Sequence, residues 1–282
     1  MAELLKGAPV AKAITAQLPQ RVAALKEKGV VPTLRIVRVG ERPDDISYEK
    51  GAMKRCAMCG IEVRNHILPL EAAEDELLAV IEGSNKDASI HGVLLFRPLP
   101  KHINEARICA ALAPEKDMDG ITDGSMAGIF SGSGMGYPPC TAQACIEILD
   151  HYGIQIEGKK ATVLGRSNVI GKPVSLLLLG RNATVTICHT RTKDLPGTCA
   201  AAEILIAAAG KAGVVSAQHV SEGQIILDVG INVTEEGSLV GDVDFAAVEP
   251  IVSAITPVPA GVGSVTTAVL AKHVVTAAEK TL

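Results

Sequence analysis

A glycine-containing turn in the second half of the chain has residue types suited to binding a phosphate group. The segment reads Gly165-Arg166-Ser167-Asn168-Val169-Ile170-Gly171-Lys172-Pro173, between a short apolar stretch and a stretch of helical pattern. A turn that joins a strand to a helix offers free backbone N–H groups and the positive end of the helix dipole to an anion. The spacing is GxSxxxGxP and not the common GxGxxG, so a purely structural turn remains the alternative at this point.

The residues after the next apolar stretch indicate which dinucleotide this turn would suit. A site for NAD usually ends its second strand with an acid that binds the ribose 2′-hydroxyl. Here the stretch ends in His189, Thr190 and Arg191, and the first acidic residue is Asp194. With Arg166, these side chains favour the 2′-phosphate of NADP, and the alternative is an ordinary solvated surface.

Two features of the first half carry side chains that could bind a substrate. Tyr48 lies near the start of a helical stretch, and residues 116–120 read Lys-Asp-Met-Asp-Gly. Taken singly, a tyrosine on a helix is most often a core residue, and an aspartate before a glycine most often belongs to a turn.

The spacing of cysteine and histidine predicts no metal site. The chain has seven cysteines, an odd number that indicates reduced thiols and not a disulfide framework. Cys56 and Cys59 form one CxxC pair in a helical stretch, and no second pair stands at a zinc-binding spacing. We expect this pair to be semi-buried thiols.

Apolar periodicity predicts strands that alternate with helices in both halves of the chain, which is typical of parallel sheets. Strands are predicted at residues 33–39, 61–68, 91–96, 161–164, 183–188, 203–208 and 224–229. Helices are predicted at residues 9–28, 47–59, 71–84, 141–152 and 266–278. Polar residues 41–46 and the segment 124–140, rich in Gly, Ser and Pro, are predicted to be loops.

These elements predict an α/β protein of two domains, as the length of 282 residues also suggests. An N-terminal α/β substrate domain with a parallel sheet would cover residues 1–139, with residues 265–282 packing back on it. A Rossmann-like dinucleotide-binding domain would cover residues 140–264, and the substrate would lie in the cleft between the two domains.

Composition excludes several other classes of protein. The net charge is −4, and no basic block is present, so a nucleic-acid groove is not expected. No apolar run approaches the ~18 residues that would span a bilayer. No secretory signal is visible at the N-terminus, so we expect a cytoplasmic enzyme.

Taken together and in this order, the motifs resemble the methylenetetrahydrofolate dehydrogenase/cyclohydrolase family. The most specific matches are Lys116-Asp117-Met118-Asp119-Gly120, Pro139-Cys140-Thr141 and Thr256-Pro257-Val258-Pro259. Further matches extend over nearly the whole chain: Lys6-Gly7, Ser47-Tyr48, Arg97-Pro98-Leu99-Pro100, the 165–173 turn, Asp228-Val229-Gly230-Ile231-Asn232 and Gly241-Asp242-Val243.

The resemblance implies a folate substrate, NADP as cofactor and a homodimer. Tyr48 would stack on the folate, and Asp119 would hydrogen-bond its pterin, as the two catalytic residues. Other substrate-binding residues would be Pro98, Leu99, Pro257, Val258, Pro259 and Gly261. The dinucleotide would be contacted by Gly165, Arg166, Ser167, Gly171, His189, Thr190, Arg191, Gly230 and Ile231.

Two departures from the family pattern concern its second reaction. Bifunctional members carry a cyclohydrolase lysine four residues after the tyrosine, where this chain has Ala52. A glutamine that supports the lysine is replaced by Phe96. Lys50 and Lys54 each lie two residues from Ala52, about 200° around a helix of 3.6 residues per turn. Smaller departures are Ala260 for a glycine and Ser264 for a proline.

The sequence therefore predicts NADP-dependent oxidation of 5,10-methylenetetrahydrofolate to 5,10-methenyltetrahydrofolate, with cyclohydrolase activity lost or very weak. One alternative is the bifunctional dehydrogenase/cyclohydrolase, with Lys50 or Lys54 in the role of the missing lysine. An alternative of another class is a non-catalytic protein that binds folate or dinucleotide.

Overall fold

The computed structural model describes all 282 residues, and the chain divides into two compact units. One unit, the six-stranded unit, comprises Met1–Ala11 and Thr141–Thr266, and the other, the three-stranded unit, comprises Lys12–Cys140 and Thr267–Leu282. Each unit is built on a parallel sheet, which confirms the predicted α/β fold.

Eleven strands and ten α-helices make up the secondary structure. The strands are β1 (Glu3–Leu4), β2 (Thr33–Val39), β3 (Glu62–Leu68), β4 (Gly92–Leu95), β5 (Lys160–Leu164), β6 (Thr184–Cys188), β7 (Ile204–Ala207), β8 (Ile225–Asp228), β9 (Asn232–Val233), β10 (Leu239–Val240) and β11 (Ala254–Ile255). The helices are α1 (Gly7–Glu27), α2 (Pro43–Cys59), α3 (Glu74–Lys86), α4 (Glu105–Ala111), α5 (Asp123–Ser131), α6 (Cys140–His151), α7 (Gly171–Gly180), α8 (Leu195–Ala200), α9 (Phe245–Val248) and α10 (Thr266–Glu279).

The sheet of the three-stranded unit has the order β3-β2-β4, with all strands parallel. Its central strand β2 is buried at six of its seven residues, as expected of a strand covered on both faces, and only Arg35 is partly exposed. Val37 and Val39 pack on one side against a buried cluster to which α3 and α4 contribute Leu77, Ile81 and Ile108. The sheet therefore holds the carboxyl ends of β2 and β4 side by side.

The sheet of the six-stranded unit has the order β1-β11-β8-β7-β5-β6, and every pairing is parallel. Strand β5, helix α7 and strand β6 form the crossover unit that was expected for a dinucleotide-binding domain. β1 pairs with β11, with Glu3 opposite Ala254. Residues 1–11 therefore belong to this unit, whereas the sequence had assigned them to the N-terminal domain, because a two-residue strand has no visible periodicity.

Two segments predicted to be loops are partly helical, and those predictions were wrong. Within 124–140, α5 begins after Thr122, whose hydroxyl accepts a hydrogen bond from the N–H of Ser125 at 3.0 Å. Its glycine Gly128 allows close packing, since an added Cβ would lie 1.9 Å from the carbonyl oxygen of Met135. Within 41–46, α2 already begins at Pro43, a residue that suits a first helical turn.

No helix combines the length and the apolar character that a membrane crossing requires. No group of three or more His, Cys, Asp or Glu side chains is arranged to hold a metal ion. All seven cysteines are free thiols and buried, including the CxxC pair on α2.

Candidate active site

Helix α2 and the end of strand β4 bring two aromatic side chains of the three-stranded unit together. The rings of Tyr48 and Phe96 lie edge to face, with centroids 6.0 Å apart and an interplanar angle of 80°. The N–H of Phe96 donates to the carbonyl oxygen of Val37 at 3.0 Å, which fixes Phe96 beyond the end of β4. Where the family carries a glutamine, this chain therefore packs an apolar ring against the tyrosine.

The position of the family's lysine is buried and apolar. Ala52 is 0% exposed, on the face of α2 that also buries Glu49 and Cys56. Lys50 and Lys54 are both exposed. The structure therefore places neither lysine on the face that Ala52 occupies.

A buried ion pair anchors α2 to the sheet. The Nε of Arg38 donates to a carboxylate oxygen of Glu49 at 2.8 Å, and the side chains are only 6% and 8% exposed. A second nitrogen of Arg38 donates to the carbonyl oxygen of Gly40, and the amide of Asn65 donates to the other oxygen of Glu49. Nothing in the sequence pattern indicated this pair, which fixes the helical turn that carries Tyr48.

Two side chains of the Lys-Asp-Met-Asp-Gly motif are used by local hydrogen bonds. The Nζ of Lys116 donates to the last carbonyl oxygens of α3 and the loop after it, those of Ser84, Asn85 and Asp87, at 2.8, 2.9 and 2.8 Å. The carboxylate of Asp117 accepts from Ile121 N, Thr122 N and Ser125 Oγ at 3.0, 2.8 and 2.7 Å. Both side chains are thus committed to local structure, and Asp119 is the acid that remains for a ligand.

Asp119 is a partly buried carboxylate held from one side. One oxygen accepts the N–H of Cys140 at 2.9 Å. Burial raises the pKa of Asp119, while that hydrogen bond and the positive charge of Arg97 act against the rise. Next to it, Gly120 has a φ of +61°, and an added Cβ would lie 2.5 Å from the nitrogen of Pro139. The motif therefore needs glycine at this position to bring Asp119 against the Pro-Cys-Thr segment.

The segment after Phe96 is fixed by one carboxylate. Glu105 accepts the N–H of Leu99 at 2.9 Å and pairs with the guanidinium of Arg97 at 3.3 Å. The Arg97–Pro98 peptide bond is cis. From the other side, Arg42 donates to the carbonyl oxygen of Pro98 at 3.4 Å. Pro98 and Leu99 thus lie beside the start of α2.

In the six-stranded unit, the turn between β5 and α7 has the geometry of a phosphate cradle. Gly165 has a φ of +132°, and an added Cβ would lie 2.1 Å from the carbonyl oxygen of Ala208. The hydroxyl of Ser167 accepts the N–H groups of Ile170 and Gly171 at 3.1 and 3.4 Å. The N–H groups of residues 166–169 donate to no acceptor within the chain. These donors at a helix start fit a pyrophosphate.

The end of β6 lies beside this turn, because β5 and β6 pair in register with Leu164 opposite Cys188. Thr190, Arg191 and Arg166 are all exposed at this edge. The N–H of Arg191 donates to Nδ1 of His189 at 3.1 Å. Asp194, the first acid, caps α8 by accepting the N–H of Gly197 at 3.2 Å. No carboxylate is therefore presented at the end of the strand.

Two buried aspartates that sequence reasoning did not single out shape the loops after β7 and β8. Asp228 accepts the N–H groups of Gly230, Asp242 and Val243 at 3.0, 2.9 and 3.0 Å, and burial raises its pKa to about 6. Asp242 accepts the N–H groups of Ala209, Gly210 and Lys211 at 2.6, 2.8 and 2.9 Å. The only sequence feature that could have identified these aspartates was their position in the matched motifs. Their bonds fix the backbone that presents Gly230 and Ile231.

The predicted 257–261 loop lines a pocket of about 240 Å³ within the six-stranded unit. Its walls are Asp228, Val229, Gly230, Ile231, Leu239 and residues 257–264. Ala260, which departs from the family glycine, has a φ of +80°, where an L-residue is strained. Ser264, which departs from a proline, donates its N–H to the carbonyl oxygen of Gly261 at 3.1 Å, a bond that proline lacks.

The predicted residues divide between the units. The three-stranded unit holds Tyr48, Ala52, Phe96, Pro98, Leu99 and Asp119. The six-stranded unit holds Pro257, Val258, Pro259 and Gly261, together with all the predicted dinucleotide-binding residues.

Comparison with known proteins agrees with this arrangement. A family model described as tetrahydrofolate dehydrogenase/cyclohydrolase, catalytic domain, matches residues 5–119. A second, described as the NAD(P)-binding domain of that enzyme, matches residues 139–282. Among curated relatives, the bifunctional protein FolD of Carboxydothermus hydrogenoformans is 54% identical over 283 residues, covering 99% of this chain and 98% of the relative.

Solved structures show the same fold. The bifunctional FolD of Campylobacter jejuni has a TM-score of 0.96 at 38% identity, with all of both chains covered. The FolD of Trypanosoma brucei, solved with NADP and an inhibitor, has a TM-score of 0.92 at 33% identity, covering 99% of this chain and 98% of that one. The chain belongs to the tetrahydrofolate dehydrogenase/cyclohydrolase family.

Proposed function

We propose that this protein is an NADP-dependent 5,10-methylenetetrahydrofolate dehydrogenase that has lost the cyclohydrolase reaction. The observation that carries the proposal is the local replacement of Lys and Gln by Ala52 and Phe96, within a site that keeps Tyr48 and Asp119. Membership of the family supports the dehydrogenase activity. The loss of hydrolysis rests on the two replaced positions.

The dehydrogenase reaction makes few demands on acid–base groups. Methylenetetrahydrofolate loses a hydride, and the folate nitrogens stabilise the resulting methenyl cation. The protein mainly has to align the donor carbon with the acceptor. We infer that Tyr48 stacks on the folate and that Asp119 accepts hydrogen bonds from the pterin N–H groups. Pro98 and Leu99 would complete this part of the substrate site.

NADP would supply the hydride acceptor, and the residues of the 165–171 turn fit its pyrophosphate. The free N–H groups of residues 166–169 would donate to the phosphate oxygens. Arg166, Thr190 and Arg191 would bind the 2′-phosphate, since no carboxylate stands at the end of β6 to repel it. Gly230 and Ile231, on the backbone fixed by Asp228, would line the nicotinamide end.

The cyclohydrolase reaction requires water to add to the methenyl cation and protons to be moved. A positioned acid–base group contributes typically 10²–10⁴-fold to such a step. The methyl group of Ala52 and the ring of Phe96 can neither polarise a water molecule nor carry its proton. Lys50 and Lys54 lie on the exposed face of α2, so we expect hydrolysis at close to the uncatalysed rate.

The test uses purified protein with methenyltetrahydrofolate alone, since hydrolysis consumes no cofactor. Loss of the methenyl absorbance is followed with wild type, with Lys50→Ala and Lys54→Ala variants, and with buffer only. We expect four identical traces. Rapid decay that disappears in Lys54→Ala or in Lys50→Ala would refute the loss of hydrolysis and establish the bifunctional enzyme, which is how the curated relatives are named.

A non-catalytic binding protein is the remaining alternative. NADPH formation from methylenetetrahydrofolate and NADP would refute it. We also propose a homodimer, as the family resemblance implies, and sedimentation equilibrium with a mass near 29.2 kDa would contradict it.

A further inference from the structure

Arg42 is a cation with spare hydrogen-bonding capacity at the edge of the proposed folate site. It is the residue before α2, and its side chain is 45% exposed. One nitrogen donates to the carbonyl oxygen of Pro98 at 3.4 Å, and Nε lies 4.0 Å from the carboxylate of Asp45. A guanidinium has five N–H donors, so most of those of Arg42 have no close acceptor in the chain.

The contact with Pro98 ties this guanidinium to the residues assigned to the substrate. Pro98 lies two residues beyond Phe96, whose ring packs on Tyr48. Along α2, Arg42 precedes Tyr48 by six residues, which is about 9 Å of helix. The bond to Pro98 therefore places the guanidinium of Arg42 beside the segment that we assign to the substrate.

Asp119 and Tyr48 are partly buried, whereas Arg42 is exposed. Burial raises the pKa of Asp119, and Tyr48 is only partly exposed. The side chain of Arg42 is 45% exposed and open to solvent. A ligand that fits these three residues has an uncharged ring system beside Asp119 and Tyr48 and an anion beside Arg42, at the end that faces solvent.

A reduced folate has this distribution of charge. Its pterin is uncharged, its p-aminobenzoyl ring is apolar, and its glutamate leaves the far end of that ring with two carboxylates. We propose that Arg42 binds a glutamate carboxylate of the folate and so makes the enzyme selective for the glutamylated substrate. This inference rests on the proposed function, because it takes the substrate to be methylenetetrahydrofolate.

The carboxylate of Asp45 does not use the hydrogen-bond donors of Arg42. At 4.0 Å from Nε, Asp45 forms an ion pair with Arg42 without a hydrogen bond, and its side chain is only 10% exposed. Nη2 of Arg42 has no acceptor in the chain, and the side chain is 45% exposed, so donors remain available to a carboxylate. Two parallel N–H donors suit a carboxylate better than the single ammonium of a lysine does.

The experiment compares methylenetetrahydrofolate with methylenetetrahydropteroate, which lacks the glutamate and ends in the carboxylate of its benzoate ring. NADP-linked oxidation of each is measured with wild type, Arg42→Ala and Arg42→Gln. Arg64→Ala is the matched control, since Arg64 is an exposed arginine of the same unit, with a side chain 39% exposed, on strand β3. The KM for NADP and the melting temperature show whether each variant is folded.

We expect both Arg42 variants to raise the KM for methylenetetrahydrofolate about tenfold, the effect of one lost charge-assisted hydrogen bond. The KM for methylenetetrahydropteroate, kcat and the KM for NADP should be unchanged, and Arg64→Ala should match wild type throughout. Equal rises for both folates, or no rise, would refute the subsite and leave the proposed function intact. Oxidation of neither substrate by wild type would refute the proposed function and the subsite with it.

Discussion

The buried pair of Arg38 and Glu49 makes a strong prediction about stability. In a Glu49→Leu variant, the guanidinium of Arg38 would stay in a site where the wild-type side chain is 6% exposed. Arg38 would keep a hydrogen bond to the carbonyl oxygen of Gly40 and an electrostatic attraction to Asp45, and the amide of Asn65 would lose the acceptor Glu49. Removing one partner of a buried ion pair costs about 3–5 kcal/mol of unfolding free energy.

Replacing both partners should cost far less. In Arg38→Leu/Glu49→Leu both charges of the buried pair are gone, and such apolar replacements are often neutral or stabilising by about 1–4 kcal/mol. The carbonyl of Gly40 and the amide of Asn65 would each lose a partner, at about 1 kcal/mol apiece. We therefore expect the double variant to lie within about 2 kcal/mol of wild type.

Thermal unfolding followed by circular dichroism measures the effect. At roughly 2–4 °C per kcal/mol, Glu49→Leu should lower the transition of the three-stranded unit by about 6–20 °C. Glu62→Ala is the control in the same unit, because it removes an ion pair to Arg64 whose side chains are 45% and 39% exposed, and such pairs contribute only about 0.2–1 kcal/mol. A single variant as stable as wild type, or a double variant less stable than Glu49→Leu, would refute the reasoning.

Four further predictions follow from the two sites. Arg166→Ala should raise the KM for NADP far more than that for NAD, and equal effects would show that Arg166 does not bind the 2′-phosphate. Asp119→Ala should lower kcat/KM for the folate while the KM for NADP stays nearly constant, so unchanged kcat/KM would remove Asp119 from the site. Ala260→Gly should raise the unfolding free energy by about 0.5–1 kcal/mol in urea titrations, since relief of about 1–2 kcal/mol of left-handed strain outweighs the greater entropy of unfolded glycine. The pKa of Asp228 is about 6 in the folded protein against 3.8 for the free side chain, so the native state binds the extra proton between these values. The unfolding free energy should therefore fall by about 2 kcal/mol as the pH rises from 4 to 6, and Asp228→Asn should lack this component; identical pH profiles would contradict it.

The sequence predicted those strands and turns whose residue pattern is visible within a short segment. Strand β2 has the predicted bounds 33–39, and the turn at Gly165 follows β5 as expected. Helix α5 was missed because its glycines mimic a loop, although Thr122 caps it and Gly128 is needed for close packing. The glycine content of this segment suggested a loop, whereas the helix requires glycine because the backbone of Met135 lies against it.

Contacts between distant residues were beyond the sequence. The pairing of β1 with β11 joins segments some 250 residues apart, and neither strand has more than two residues. The bonds from Asp228 to the backbone of Asp242 and Val243 depend on how two loops meet. The significance of Ala52 and Phe96 could be inferred without the structure, because it follows from comparison with the family pattern. The structure adds that Lys50 and Lys54 lie on the exposed face of α2.

The central claim is that the enzyme oxidises methylenetetrahydrofolate with NADP and then stops. One measurement tests both the oxidation and the absence of hydrolysis. Spectra of a single reaction with methylenetetrahydrofolate and NADP are recorded over time, so that NADPH and methenyltetrahydrofolate are followed together. We predict that the two products appear in a 1:1 ratio and that the methenyl absorbance afterwards decays no faster than in enzyme-free buffer. NADPH accumulation with methenyltetrahydrofolate held at a low steady level would contradict the account.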